Sequence, residues 1–431
     1  MKVKGELSLL SRANLPKGWK VVPLRYAVDF RSDQLSSSTA PNYQFRYLDI
    51  GSVSHEEGIS NYTEMTYSKS PSRARKLVSA GDTIISTVRT YLRSIATIYD
   101  DRDVIVSTGF SVLRPRLFEP DYLGYLAKSD IVCSEIERRS WGVAYPAVSE
   151  NHIGLIHVPL PPLDEQAKIS VRLNSVTVNI GRAIDLLQQE LDTLERLKKS
   201  IIREAVTKGL DPTVPMKPSG VEWIGDIPMN WEAKKLKVIA NFGSGTTPDS
   251  GDYSYYDGGD IPWIQSGDLY DAPRIFSTDK NVTAKAVREL SALSVYKAPF
   301  VVVAMYGASV GNTSLSVIDA CMNQACCYIQ ATGAASNEYL FYAITSAKPD
   351  LMSKAQGGTQ PNISQIVLKN HWVPCPPLVE QKRIVEALEQ RVNDLDHAIV
   401  IKRRQVNLLE QQRQALIFEY VTGKRRVNEV A

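Results

Sequence analysis

Side chains able to act as acids, bases, nucleophiles or metal ligands are few in this chain and poorly spaced for chemistry. The five histidines are His55, His152, His157, His371 and His397. They form no metal-binding spacing, because the nearest pair, His152 and His157, falls off one helical face. The five cysteines include the adjacent Cys326 and Cys327 but no CxxC, which argues against zinc and disulfide frameworks. The glycine-rich GSGTTPDSG (243–251) lacks the lysine of a phosphate-cradling loop. Both Pro-Pro pairs, Pro161-Pro162 and Pro376-Pro377, are followed by leucine. An adenine methyltransferase motif needs an aromatic ring there to stack on an extruded base. No carboxylate–lysine cluster of the nuclease kind stands out either. The chemistry-bearing residues point away from catalysis and towards binding.

At 431 residues with 43% hydrophobic content, the chain has material for two to four compact units with real cores. No apolar stretch is long enough to span a bilayer, and the start MKVKGELSLLSR has charge without an apolar segment behind it. A reducing, cytoplasmic location and no membrane partner are expected. The net charge of +3 says little by itself. Residues 1–160 carry 20 Lys/Arg against 17 Asp/Glu, and residues 220–375 carry 11 against 14. Any nucleic-acid contact must come from local patches, not from a basic domain.

The elements that must position such patches come in two copies. PLPPLDEQAKI (159–169) returns as PCPPLVEQKRI (374–384), and Val206-Thr207 returns as Val421-Thr422 in the same register of 215. Trp19 answers Trp231, DYLGYLAKS (121–129) answers EYLFYAITS (338–346), and Pro146 answers Pro361. Before each proline phrase, β-branched and aromatic runs such as DTIISTV, VIVSTGFSVL and PFVVVAMY alternate with Gly, Pro and Asp breakers. These read as strands of an α/β (α+β) globule. After each phrase Pro and Gly nearly vanish and helix formers dominate.

Each post-proline segment predicts a helix of roughly 40–45 residues, about 60–67 Å long. The apolar seam runs Ile180, Ile184, Leu187, Leu191, Leu194, Ile201 and Ala205 in the first copy. In the second it runs Leu395, Ile399, Val406, Leu409, Leu416 and Tyr420, with Lys402 at the place of Leu187. Steps of three and four residues are a coiled-coil pattern. Lys198 and Arg413 occupy the same seam position, either fixing register or snorkelling to solvent. The expected boundaries are a first domain over 1–160, a helix over 161–215, a second domain over 216–375 and a second helix over 376–431. The proline phrase is a junction: proline ends the ladder, and Glu165 and Gln166 fall in the first helical turn, where a carboxylate meets the positive dipole end.

Two variable globules, each followed by PxPPLxEQ and a long helix, with GSGTTP…GGDIPWIQSGDL (243–269) opening the second, resemble the specificity subunit of type I restriction–modification systems. The resemblance implies two target recognition domains joined by two long antiparallel coiled-coil helices, an internal pseudo-two-fold repeat and no catalysis by this subunit. It implies double-stranded DNA, two modification (methyltransferase) subunits and ATP-dependent restriction subunits as partners. S-adenosylmethionine, ATP and magnesium would sit on those partners, with no cofactor or metal in this chain. The first unit reads RSDQLSSSTAPNYQFRYLDIGSV (31–53) where the second has GTTP and IPWI. The units have diverged, so the resemblance implies an asymmetric bipartite target.

DNA reading requires cations for phosphates and planar or amide side chains for base edges. In the first unit the candidates are Arg73, Arg75, Lys76, Arg89, Tyr91, Arg93, Arg139 and Tyr145. In the second they are Tyr306, Ser309, Gln356, Thr359, Gln360 and Asn362. Each is equally readable as solvated surface charge or a turn residue. A self-sufficient methyltransferase and a coiled-coil scaffold without a DNA role are the rival readings.

Overall fold

A computed structural model of the chain describes residues 15–31, 33–56, 58–357 and 361–427. It divides into two compact units. One comprises the chain up to Gln188 together with the segment from Arg403 onwards, and the other comprises Gln189–Lys402. The expected long helices are α1, Leu163–Lys208, and α2, Leu378–Val421, and each contributes one half to each unit.

In the first unit the segments before and after the globule are tied together. Strand Lys20–Pro23 pairs antiparallel with His157–Leu160, which leads directly into α1. Between them lie two four-stranded sheets. One has the order Thr63–Thr66, Gln44–Leu48, Val104–Ser107, Ala74–Leu77, and the other Val28–Arg31, Phe110–Pro115, Thr83–Ser86, Ile95–Thr97. The β-branched runs TIIS and VIVS are buried at every residue, as strands covered on both faces must be. Helices Pro120–Lys128 and Asp130–Arg139 pack Tyr122, Leu126 and Ile136 into a core shared with Ile169 and Leu173 of α1 and Ile417 and Tyr420 of α2.

The second unit repeats this plan. Strand Glu232–Lys235 pairs antiparallel with Trp372–Cys375, which leads into α2. A five-stranded sheet runs Ala240–Ser244, Cys326–Ala331, Phe300–Ala304, Thr313–Ser316, Arg274–Ile275, beside a three-stranded sheet centred on Ile261–Ile264. Helix Asn337–Ser353 takes the place of the helix pair of the first unit. Its core continues into Ile202, Ala205 and Val206 of α1 and Ile384, Leu388 and Val392 of α2.

The proline phrase does more than the dipole argument predicts. Gln166 is fully buried and donates from Nε2 to the carbonyls of Pro161 (2.9 Å) and Leu117 (3.1 Å), while its Oε1 accepts from the Glu119 amide (2.8 Å). Gln381 does the same, with Pro376 (2.8 Å), Ala334 (2.9 Å) and the Ser336 amide (2.9 Å). A buried primary amide satisfied on both sides locks the start of each long helix to its globule. Glu165 accepts from the Trp19 indole (2.9 Å) and pairs with Arg426 (3.1 Å), so its carboxylate is held by side chains as well as by the helix end.

The seam residues Ile184, Leu187, Leu194, Ile201, Val406, Leu409 and Leu416 are half-buried, and Leu191 and Ile399 are buried. Within the second unit α1 and α2 run antiparallel, with Lys198 Nζ 2.6 Å from Asp396 and Lys402 Nζ 2.6 Å from Glu190. In the first unit they do likewise, with Tyr420 hydroxyl accepting from Arg172 at 3.4 Å.

Candidate nucleic-acid interface

Each unit presents a loop at a strand end, stapled by backbone hydrogen bonds to a neighbouring hairpin. In the first unit strand Thr83–Ser86 ends in the loop 87–94, and the hairpin 141–147 closes through reciprocal Trp141–Ala147 bonds of 3.0 and 2.9 Å. The Val148 amide then donates to Thr87 (2.9 Å). In the second unit strand Phe300–Ala304 ends in the loop 305–312, and a hairpin closes through reciprocal Gln356–Asn362 bonds of 2.9 and 2.8 Å. There the Ile363 amide donates to Met305 (2.7 Å). Main-chain bonding makes the part of the scaffold that the two units share.

In the first unit the scaffold displays Arg89, Tyr91 and Tyr145 together. Arg89 and Arg93 both adopt left-handed backbone (φ 51° and 49°), an uncommon conformation for arginine, and between them a single helical turn pushes Tyr91 outwards, 57% exposed. The Arg89 guanidinium stacks over the Tyr145 ring at 5.1 Å, presenting a planar donor fork beside an exposed aromatic face. Thr90 is buried and its hydroxyl meets that of Ser140 at 2.8 Å, anchoring the loop to the base of the hairpin.

Other cations nominated from sequence are engaged internally. Lys76 is buried, donating to the Phe110 carbonyl (2.8 Å) and pairing with Glu150 (2.8 Å), so its ammonium is engaged inside the fold. Arg93 bonds Glu137 (2.7 Å) and Asp130 (2.8 Å), which together hold its guanidinium well above its ordinary value and pin the loop to helix Asp130–Arg139. Arg139 pairs with Glu135 (3.0 Å), one turn back on the same helix. Arg75 bonds its own turn at Ser70, Pro71 and Ala74 and stacks on Tyr67. Arg73 is exposed and paired with Asp49 at 2.7 Å, an arrangement a phosphate can compete for.

In the second unit Gln356 and Asn362 are exposed on the hairpin, and Tyr306 is half-buried. Ser309 is buried and donates to the Ser266 carbonyl, so it ties its loop to residues 266–269 and presents no hydroxyl to a ligand. Thr359 and Gln360 lie outside the described residues.

The structure also exposes residues of the candidate segment ERRSWGVAY (137–145) besides Arg139 and Tyr145. Trp141 is 70% exposed and Val143 wholly so, on either side of Gly142 at φ 104°. The signal was in SWGVAY, where an aromatic residue and a valine flank a turn glycine with no alternation to bury them. Among the described residues no group of three or more His, Cys, Asp and Glu could hold a metal ion. Burial pushes the thiols of Cys133, Cys321 and Cys327 up to about 12, leaving them unreactive. No described helix is long and apolar enough to cross a membrane.

The family model described as the type I restriction modification DNA specificity domain matches this chain twice, over residues 16–196 and 228–403. The chain belongs to that family. Relatives include the MjaVIII type I restriction enzyme specificity subunit of Methanocaldococcus jannaschii, 26% identical over 73% of this chain and 72% of its own. The StySPI specificity subunit of Salmonella potsdam is 22% identical over 94% of this chain and 92% of its own. Among solved structures, a chain from a study of complex assembly and conformational transition in a type I R-M system aligns with TM-score 0.76 and 25% identity. It covers 96% of this chain and 100% of the other. The HsdS subunit of Thermoanaerobacter tengcongensis aligns with TM-score 0.51 at 25% identity, over 96% and 99% of the two chains. The two recognition domains and two long helices of a specificity subunit are thus present here, and sequence-specific DNA recognition within a restriction–modification system is the role of the chain.

Proposed function

We propose that this specificity subunit reads a split, asymmetric DNA target, one half with each unit. The observation that carries the proposal is the shared loop-and-hairpin scaffold with unlike side chains: Arg89, Tyr91, Trp141 and Tyr145 in one unit, Gln356 and Asn362 in the other. Arginine suits guanine O6/N7 and the amides suit adenine N6/N7, so unlike half-sites follow. Arg73 is the phosphate contact in the first unit. The chain performs no bond chemistry. Two modification subunits bind S-adenosylmethionine and extrude the target adenine, and restriction subunits supply magnesium- and ATP-dependent cleavage in the cytoplasm. The lengths of α1 and α2 set the gap between half-sites.

Selection of bound duplexes from random DNA, with the modification subunit added, tests this reading. The expected outcome is one bipartite motif with dissimilar halves, and a palindromic or unenriched result refutes it. Inserting one heptad, about 10 Å, into both helices should widen the gap by about three base pairs. An unchanged gap would sink the ruler.

A further inference from the structure

The repeat register that equates the two units also exposes a charge that only one of them neutralises. In the second unit the seam cation Lys198 is met by Asp396 at 2.6 Å. In the first unit the matching cation is Arg413, and the residue matching Asp396 is Gly181. A Cβ built on Gly181 would meet nothing within 4 Å. Where the second unit has its carboxylate, the first has open space.

That space belongs to a cavity of about 410 Å³ in the first unit, lined by Gly181, Arg413, Lys128, His55 and Gln414 among others. Lys128 brings a second cation, at the position where the second unit has the neutral Thr345. Among the described residues no carboxylate lies within 4 Å of the Lys128 ammonium or the Arg413 guanidinium. Glu56, Asp185 and Glu410 also border the cavity, Glu56 and Asp185 as exposed residues. His55 is 9% exposed; its Nε2 lies 3.0 Å from the Gln414 amide, and its Nδ1 is buried without a partner. Burial and then the nearby Arg413 pull the Lys128 ammonium below its ordinary value, with the Glu56 carboxylate pulling the other way.

Two cations with no carboxylate within 4 Å among the described residues, an orphaned imidazole nitrogen and an amide supply donors to one cavity, whose border also carries the Glu56, Asp185 and Glu410 carboxylates. We propose that this cavity binds a small phosphate-bearing ligand, free phosphate or a phosphate monoester, whose oxygens take the place that Asp396 fills in the second unit. A phosphate monoester carries close to two negative charges and three acceptor oxygens, matching the two cations and the His55–Gln414 pair. The volume exceeds what one phosphate needs and lies in the range of small-molecule sites, leaving room for an organic body on the ester.

The test is thermal melting of the full chain titrated with sodium phosphate or adenosine 5′-monophosphate, against sodium chloride at matched ionic strength. Either phosphate should raise the melting temperature saturably beyond the chloride control. A response to both, or to the monoester alone, supports the site, and a response to inorganic phosphate alone assigns the free anion. The Gly181→Asp variant supplies the missing carboxylate and should weaken the apparent affinity at least about tenfold. Gly181→Ala controls for helix propensity and should respond like the parent. Lys128→Thr, the residue of the second unit, should also lose the response. No shift beyond chloride, or a full response retained in Gly181→Asp, overturns the proposal.

Discussion

Gln166 and Gln381 stand 215 residues apart and make matching sets of three hydrogen bonds, whereas the loops beyond them share hardly a side chain. The same contrast recurs at the helices. Tyr122 donates its hydroxyl to the Val421 carbonyl of α2 (3.1 Å), and Tyr339 donates to the Val206 carbonyl of α1 (3.2 Å). The globule–helix joint is therefore fixed by side chains, which cannot be exchanged without leaving buried polar groups unpaired. The candidate loops share a frame of backbone bonds and differ in the side chains that tie them down, Thr90 and Arg93 in one unit and Ser309 in the other. Specificity can diverge in such a protein without passing through an unstable intermediate.

Replacing residues 1–160 by the corresponding part of another family member should break the comparison most severely. Affinity for the original first half-site should fall about a thousandfold or more while the second half-site stays the same, as read by selection on random duplexes. A change in both halves would end the modular account. Next in size, Gln166→Leu should cost about 3 kcal/mol, because it strands two carbonyls and an amide in the interior. Gln381→Leu should cost about the same, and urea denaturation of the two variants compares them. Clearly unequal losses would show that the two joints differ in strength despite their shared geometry.

A similar effect should appear at a repeat position that only the second unit fills with histidine. His371 and Ile156 occupy one repeat position, and each offers its carbonyl to the strand-end residue Leu236 or Leu24 (2.9 and 2.8 Å). Both are buried, but His371 stacks on Trp223 with neither ring nitrogen hydrogen-bonded, and burial pulls its pKa down to about 4. An unfolded histidine titrates near 6.5. The folded second unit therefore resists a proton that the unfolded chain accepts. Stability is complete above about pH 6.5 and is lost progressively as pH falls to about 4, by about 2–3 kcal/mol. Denaturation melts across this window should show the slope, and His371→Ile should reduce it. A slope unchanged in that variant would place the proton elsewhere.

The sequence announces the architecture through its repetition: the proline phrase, Trp19 with Trp231, and two proline-free stretches locate both joints and both long helices. Gln166 is placed by the sequence in the first helical turn of a junction, but its bonding is not legible there, because Leu117 and Glu119 come around it only in the folded chain. The base-reading candidates fared unevenly for the same reason. Lys76, Arg93 and Arg89 look alike as isolated basic residues. Only long-range neighbours decide that Glu150 takes the first, that Glu137 and Asp130 take the second, and that the third stacks openly on Tyr145. Charge in a sequence counts cations, while function depends on which of them remain unpaired.

That distinction yields a finer test inside the first unit. Arg89→Ala should weaken binding to the first half-site by about 1–2 kcal/mol without moving the melting temperature, since its guanidinium supports nothing but an exposed ring. Arg93→Ala should do the reverse, loosening the loop and lowering the melting temperature.

The smallest expected difference bears on the helix seam. Lys198→Met removes a partly exposed ion pair with Asp396 and should cost about 0.5–1 kcal/mol. Arg413→Met removes a cation that faces Lys128 with no carboxylate within 4 Å among the described residues, so it should cost less than Lys198→Met or add stability. Both long side chains are half-buried, so each variant also changes packing in the same direction. What remains is the sign of the local field. Equal losses would mean that Arg413 finds an anion within the chain after all, and the cavity beside Gly181 would then have no call for one from outside.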